Sequence, residues 1–220
     1  MLIDNRLILL GFLSYLAGGI PSGYMIARRV KGIDIREHGS GNPGAANVYR
    51  IVGVGAGWAT MIFDALKGYI PVLLAQHLYP GELWAAIACG ALAIIGHVWT
   101  PFLGLRGGKG VATSSGVFLA LMPVPMLFSL AAFVLAVAAT KHISAGSMLG
   151  ALTLPVAAFA VSEPRPLALM SVAVAALILA RHTSNLRRLL GGAEATFGAA
   201  DGKQPHPPEE RRQPRSSTPR

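Results

Sequence analysis

Two glycine-rich stretches of the chain each carry a cation. In HGSGNPGAANVYR, His38 to Arg50, the run Gly39-Ser40-Gly41-Asn42-Pro43-Gly44 fits the pattern G-x-G-x-x-G, and Arg50 closes the segment. In GLRGGKGVAT, Gly104 to Thr113, Gly107 and Gly108 stand directly before Lys109. Glycines let successive backbone N–H groups turn into one concavity that binds anions. Lysine adds a point charge, and arginine can grip a phosphate through two donors at once. The chemistry these residues suggest is phosphate binding.

Neither stretch fits a standard nucleotide loop. The dinucleotide fingerprint needs a strand before it and a helix after it. Here the preceding residues are GIDIREH, a short charged run that follows an apolar span. Asp64 lies at about the right distance for a ribose partner but falls inside another apolar span. The second stretch has Leu103 where a P-loop needs its first glycine, and Gly110 where it needs Ser or Thr. Either loop alone could be a tight turn between helices. Two loops with cations on one face favour phosphate.

Two further polar stretches fall on the same face. KHISAGS offers Lys141, His142, Ser144 and Ser147, and RHTSNLRRLLGGAE offers His182 and Asn185. If the second stretch stays helical, His182 and Asn185 are i, i+3 neighbours on one side. Asp64 and Lys67 have the same spacing, and the plainer reading is a mutual ion pair that offsets the cost of charge inside a membrane. Glu194 reads as structural, paired with a nearby basic residue.

The elements that must position these groups are membrane helices. The chain is 53% hydrophobic and only 13% charged, against roughly 25% charged in soluble domains. Mean hydropathy is +0.52. A span needs about 20 apolar residues. Leu7 to Ala27, Trp58 to Tyr79, Leu83 to Pro101, Ile143 to Val161 and Pro166 to Ala180 read as spans. Val111 to Thr140 is one overlong helix or two joined at Pro123-Val124-Pro125, since proline breaks interior helix bonding. Two helices put Arg28, Arg29, Lys31, Arg36, Arg50, Arg106, Lys109, Lys141, Arg181, Arg187 and Arg188 on one side, leaving Arg6 and Arg165 on the other. The positive-inside rule selects that arrangement. The expected fold is an all-α, seven-helix membrane bundle over residues 1–197, with the N-terminus outside and the C-terminus cytoplasmic. The first hairpin helix is expected to begin before Val111, because 12 residues reach only about 18 Å.

The net charge of +9 fits cytoplasmic loops better than nucleic-acid binding, for which no aromatic-rich basic stripe is present. The single cysteine, Cys89, excludes an internal disulfide and a cysteine metal cluster. No metal site and no cofactor are expected. The first apolar run is too long for a cleavable signal and reads as a first span. Residues 198–220, rich in proline and charge, read as a disordered tail.

Three motifs together resemble the bacterial acyl-phosphate:glycerol-3-phosphate acyltransferases of phospholipid synthesis. They are GSGNPGAANVYR (Gly39 to Arg50), GHVWTPFLGLRGGKGVAT (Gly96 to Thr113), and KHISAGS with RHTSNLRRLLGGAE. The likeness runs from Leu7 to Glu194. Ala46 stands where the family commonly has Thr, and Ala145 where it commonly has Leu. The resemblance implies a seven-helix membrane bundle in the bacterial inner membrane and a cytoplasm-facing site; a monomer is expected, although the sequence does not fix the oligomeric state. It implies acyl transfer from acyl phosphate to the 1-hydroxyl of glycerol 3-phosphate, giving lysophosphatidic acid and phosphate.

Carried onto this chain, the family motifs assign catalytic roles to Ser40, Arg50, Lys109, His182 and Asn185. They assign substrate binding to Gly39, Gly41, Asn42, Gly44, Asn47, Gly107, Gly108 and Ser147. The Ser40–Gly44 loop, Asn47 and Gly107-Gly108 are expected at the acyl phosphate. Arg50, Lys109, Ser147, His182 and Asn185 are expected at glycerol 3-phosphate. The proton of the attacking hydroxyl goes either to His182 or to the donor's own phosphate. Ser40 as a covalent nucleophile would need an activating base, and direct transfer is preferred. The H-x4-D pattern of acyl-CoA enzymes is missing, since no histidine has an aspartate five positions on. An organophosphate transporter is the competing class, and it would want polar groups near the bilayer midplane. A CDP-alcohol phosphotransferase would need clustered aspartates, whereas Asp4, Asp34, Asp64 and Asp201 are scattered.

Overall fold

A computed structural model describes residues 5–198. The proline-rich tail expected over 198–220 therefore lies outside the described residues, except for Gly198. The described chain is all helical. Its helices are α1 (Asn5–Gly19), α2 (Ser22–Lys31), α3 (Ala45–Ile51), α4 (Val54–Leu78) and α5 (Leu83–Val98), then α6 (Val111–Leu121), α7 (Pro123–Thr140), α8 (Ile143–Ala160), α9 (Arg165–Arg181) and α10 (Thr183–Leu190). Short 3-10 turns at Ile35–Glu37 and Pro101–Leu103 sit within the two glycine-rich connections.

Among the described residues, five segments are long and apolar enough to cross a bilayer: Asn5–Lys31, Val54–Leu78, Leu83–Leu103, Pro123–Thr140 and Ile143–Ala160. α9 and α10, bent by 57° at His182, make a sixth if taken as one broken span. The first segment is α1 and α2 joined across Ile20-Pro21. Proline has no N–H and its ring clashes with the preceding turn, so the break falls there. Lys67 Nζ donates to the Ile20 carbonyl at this break, 2.7 Å away. It also pairs with Asp64 at 2.7 Å, the mutual ion pair that the i, i+3 spacing predicts. Ser22 donates to the same carboxylate oxygen.

The ambiguous stretch divides as the prolines predict. α6 stops at Leu121 and α7 starts at Pro123, with Met122 between them. The expectation that α6 begins before Val111 is wrong. Gly110 adopts a left-handed conformation, φ +88°, and ends the preceding loop. That loop is tied back onto α5, so its residues are not available to extend the helix. α6 has 11 residues and is about 16 Å long, half the bilayer's apolar thickness.

The bundle packs α7 along α8, α1 along α5, α4 along α6 and α8 along α9. Small residues let backbones approach, the usual basis of helix association in lipid. A Cβ on Gly116 of α6 would fall 1.9 Å from the Ala65 carbonyl of α4, and one on Gly68 of α4 would fall 2.2 Å from the Thr113 carbonyl of α6. The shared core includes Val72, Ile94, Phe118, Leu154 and Leu167. Large apolar side chains such as Phe12, Leu135 and Val156 face outward, as lipid-facing positions do.

Candidate active site

A cavity of about 310 Å³ opens among α3, α4, α6, α7, α8 and α9 and differs from one end to the other. One end is lined by Ser40, Asn42, Arg50, Lys109, Ser147, His182, Asn185 and Glu194. The other is lined by Phe118, Met126, Leu130, Leu154 and Val174. Residues from all three sequence motifs meet at the polar end.

The first glycine loop is closed by its own bonds. Asn47 lies on α3, 2% exposed, and all its polar capacity turns inward. Its Oδ1 accepts from Ser40 N (3.0 Å), and its Nδ2 donates to the carbonyls of Ile35 (3.2 Å) and His38 (3.0 Å). Asn42 Oδ1 accepts from Gly44 N (2.9 Å), and Gly41 N donates to His38 O (3.0 Å). Gly39 and Gly41 have φ of +58° and +70° and do not line the cavity. These N–H groups are therefore taken, contrary to the expectation that the glycines form an anion nest. Ala45 and Ala46, which do line the cavity, start α3 with N–H groups that have no partner among the described residues. The first N–H groups of any helix lack intrahelical acceptors. One turn on, Arg50 donates from Nε to the Ala46 carbonyl (3.0 Å), fixing its guanidinium along the cavity wall. Burial lowers its pKa, yet an arginine keeps its charge.

The second loop behaves differently. Gly107 N donates to Val98 O and Gly108 N to His97 O, both at 3.1 Å. The loop thus caps the carbonyls left over at the end of α5. Neither glycine lines the cavity, and neither has an N–H left for phosphate. Their small size explains them better. A Cβ on Gly107 would lie 1.9 Å from the His97 carbonyl, and one on Gly108 would lie 2.2 Å from His97 Nε2. Arg181 donates to the carbonyls of Gly108 (3.3 Å) and Gly107 (3.4 Å) from the far side. The loop so clamped delivers one side chain to the cavity, Lys109, with Gly110 beside it.

Lys109 Nζ donates to Asn185 Oδ1. Asn185 Nδ2 donates to Glu194 Oε1 (2.6 Å), and Arg188 Nε donates to Glu194 Oε2 (2.7 Å). Glu194 thus pairs with Arg188, as its structural reading expects, and also lines the cavity and fixes which way the Asn185 amide points. Burial pulls the Glu194 pKa up, but the neighbouring Asn185, Ser144 and Arg188 side chains outweigh it and the net shift is downward, so the group is a carboxylate. Burial lowers Lys109 to a pKa of about 8; Glu194 opposes that shift, and Arg188, Arg50 and Arg181 add to it.

His182 does not continue α9, as a helical stretch through Asn185 would require. It sits at the bend between α9 and α10, 3% exposed. Its Nδ1 lies 2.8 Å from the Ile178 carbonyl, which can only accept, so Nδ1 carries the proton and Nε2 the lone pair. Both His182 and Asn185 still reach the cavity. Ser147, on the first turns of α8, donates back to the Ile143 carbonyl (2.9 Å) and keeps its lone pairs for the cavity.

Several lining groups escaped the sequence reading as site residues. Asp64 and His97 form part of the wall, with His97 Nδ1 3.8 Å from Asp64 Oδ1. Tyr49 stacks on Phe197, ring centres 5.1 Å apart, and Phe197 N donates to the Lys141 carbonyl (2.5 Å), closing a strap beside the polar end. His97 lies inside the second motif, so the motif carried a signal for it; nothing in the local pattern marks Phe197. Among the described residues no group of three or more His, Cys, Asp or Glu could hold a metal ion.

A model of the glycerol-3-phosphate acyltransferase family matches residues 8–192. The chain belongs to the glycerol-3-phosphate acyltransferase family. A relative of that name from Geobacter sulfurreducens is 47% identical over 196 residues, covering 89% of this chain and 99% of its own. One from Geotalea daltonii is 46% identical, covering 84% and 94%. Among solved structures, the glycerol 3-phosphate form of PlsY, an integral membrane glycerol 3-phosphate acyltransferase, superposes with a TM-score of 0.83 at 36% identity, covering 88% of this chain and 96% of that one. The lysophosphatidic acid form of the same protein gives 0.81 at 35%. Membership in this family makes the chain a multi-pass bacterial membrane acyltransferase.

Proposed function

We propose that the protein transfers a fatty acyl group from acyl phosphate to the 1-hydroxyl of glycerol 3-phosphate, releasing lysophosphatidic acid and phosphate. The observation that carries this reading is the two-ended cavity, with Arg50, Lys109 and His182 at one end and an apolar tube at the other. A water-soluble phosphate ester and a fatty donor need such a pair of environments in contact. The name shared by the relatives and the two ligand forms of PlsY support glycerol 3-phosphate and lysophosphatidic acid as substrate and product.

Arg50 and Lys109 hold the glycerol 3-phosphate phosphate, and Ser147 and Asn185 orient its hydroxyl. Ser40, Asn42 and the N–H groups opening α3 face the phosphate of the donor. Asn47 shapes the first loop from the cavity wall, and Gly39, Gly41, Gly107 and Gly108 shape the two loops without reaching the cavity. The hydroxyl oxygen attacks the acyl carbon, the bond from that carbon to the phosphate oxygen breaks, and inorganic phosphate leaves. The hydroxyl proton passes to His182 Nε2 or to the departing phosphate. Proximity and stabilisation of developing negative charge supply the rate. No covalent Ser40 intermediate forms.

The same reading places seven passes in the membrane, with α6 as the short one, the N-terminus outside, and the site at the cytoplasmic edge. The protein acts as a monomer and needs no cofactor. The test is purified protein with acyl phosphate and glycerol 3-phosphate, without CoA or carrier protein. The expected result is lysophosphatidic acid and phosphate in equal amounts. Phosphate release with no lysophosphatidic acid would end this reading.

A further inference from the structure

The apolar end of the cavity has a floor. On α8 the lining residues follow one helical stripe, Ser144, Ser147, Ala151 and Leu154, and none lies beyond Leu154. Ser144 to Leu154 is ten residues, about 15 Å of helix. The other walls stop at matching depth. The deepest lining residue is Phe118 on α6, Met126 on α7 and Val174 on α9. Val174 lies eight residues, about 12 Å, before His182 at the polar end. Phe118, Met126, Leu154 and Val174 are 0%, 7%, 5% and 7% exposed and belong to one packed core. The tube therefore ends inside the protein against close-packed side chains. Its flank differs, since Leu130 is 48% exposed and Met61 is 36% exposed.

We propose that Phe118, Met126, Leu154 and Val174 form a ruler that sets the length of acyl chain the enzyme transfers. This rests on the acyl-phosphate reading above. A chain whose carbonyl lies near Lys109 and His182 runs down the α8 stripe until its methyl end meets the floor. Chains too long to fit must fold back or leave by the flank at Leu130, and they place the carbonyl badly. Ala151 is the sensitive point above the floor, one turn and about 4.5 Å short of Leu154 on the same stripe.

The experiment uses the purified full chain with a ladder of saturated acyl phosphates from eight to eighteen carbons, reading kcat/KM at saturating glycerol 3-phosphate. Ala151→Leu raises the floor and is expected to lower the ratio of long-chain to short-chain kcat/KM about ten-fold, the size of discrimination apolar pockets reach. Leu154→Ala and Met126→Ala deepen the tube and are expected to move the optimum to longer chains. A fold defect lowers all chains together and does not produce opposite shifts in this ratio, so Ala151→Leu decides the matter even where Leu154→Ala fails to fold. If the wild-type protein transfers no member of the ladder, the donor assignment falls and the ruler with it. If it transfers them while Ala151→Leu leaves the ratio within two-fold of wild type, the ruler alone falls and the chain leaves by the flank.

Discussion

The two glycine loops look alike in sequence and act differently in the structure. The first, Gly39 to Gly44, folds around one side chain, Asn47, which accepts from Ser40 N and donates to two carbonyls. Its open N–H groups sit one step later, at Ala45 and Ala46. The second loop, Gly104 to Gly110, has no such internal organiser. It is pressed between the end of α5 and Arg181, and its glycines are small because the His97 ring and carbonyl leave no room. Each loop ends by presenting one cation, Arg50 or Lys109. Glycine next to a cation thus marks the polar end of the cavity, the phosphate end in the function proposed above, although the N–H groups of Gly41, Gly44, Gly107 and Gly108 are occupied within the protein.

The largest effects are expected at the cations. Arg50→Ala and Lys109→Ala are each expected to cut turnover by about two to three orders of magnitude, the loss seen when a charge-stabilising donor is removed. Activity near wild type in well-folded protein would mean that the loops serve something other than phosphate. Next come the glycines. Gly108→Ala drives a Cβ to 2.2 Å from His97 Nε2, whereas Gly104→Ala meets nothing within 4 Å and faces only its φ of +61°. The first is expected to displace Lys109 and cost more than ten-fold in kcat/KM for glycerol 3-phosphate. The second is expected to cost only about 1 kcal/mol of backbone strain, read as a small fall in melting temperature with kinetics preserved. Equal effects would show that the second loop is not held by its contact with His97.

Much of this was legible in the sequence, for a physical reason. Hydropathy and proline placement are local, so the spans and the break at Pro123 follow from composition. The pairing of Asp64 with Lys67 follows from helical spacing alone. The start of α6 did not follow, because Gly110 ends the loop through contacts with α5 that no local pattern encodes. Nor did the bend at His182, since a helical continuation through Asn185 satisfies every local preference. The acceptors taken by the N–H groups of Gly41, Gly44, Gly107 and Gly108 are hidden for the same reason: a motif shows where a loop can bend, and only the fold shows which acceptors it meets.

Asn47→Asp sharpens the first loop. It keeps the acceptor for Ser40 N but loses both donors, placing a carboxylate against the carbonyls of Ile35 and His38. Unpaired buried polar groups of this kind cost about 1–3 kcal/mol. The expected result is lower thermal stability, with Asn47→Asp turnover reduced but measurable. An unaffected melting curve would remove Asn47 as the loop's organiser. The smallest effect is one of pH. Lys109 is protonated below a pKa of about 8 and loses its charge above it. Affinity for glycerol 3-phosphate should therefore weaken as pH rises through that value, while Arg50 holds its charge throughout. A flat KM between pH 7 and 9 would show that Lys109 does not titrate there.

The two-ended cavity has a kinetic consequence. With acyl phosphate as donor, as proposed above, one reactant arrives from solution and is counted by molarity, while the other arrives within a lipid sheet and is counted by its mole fraction there. Diluting the donor with inert lipid, at constant bulk concentration of everything else, should slow the enzyme as surely as removing donor. Membrane composition then sets the rate of this step directly, before any regulator acts.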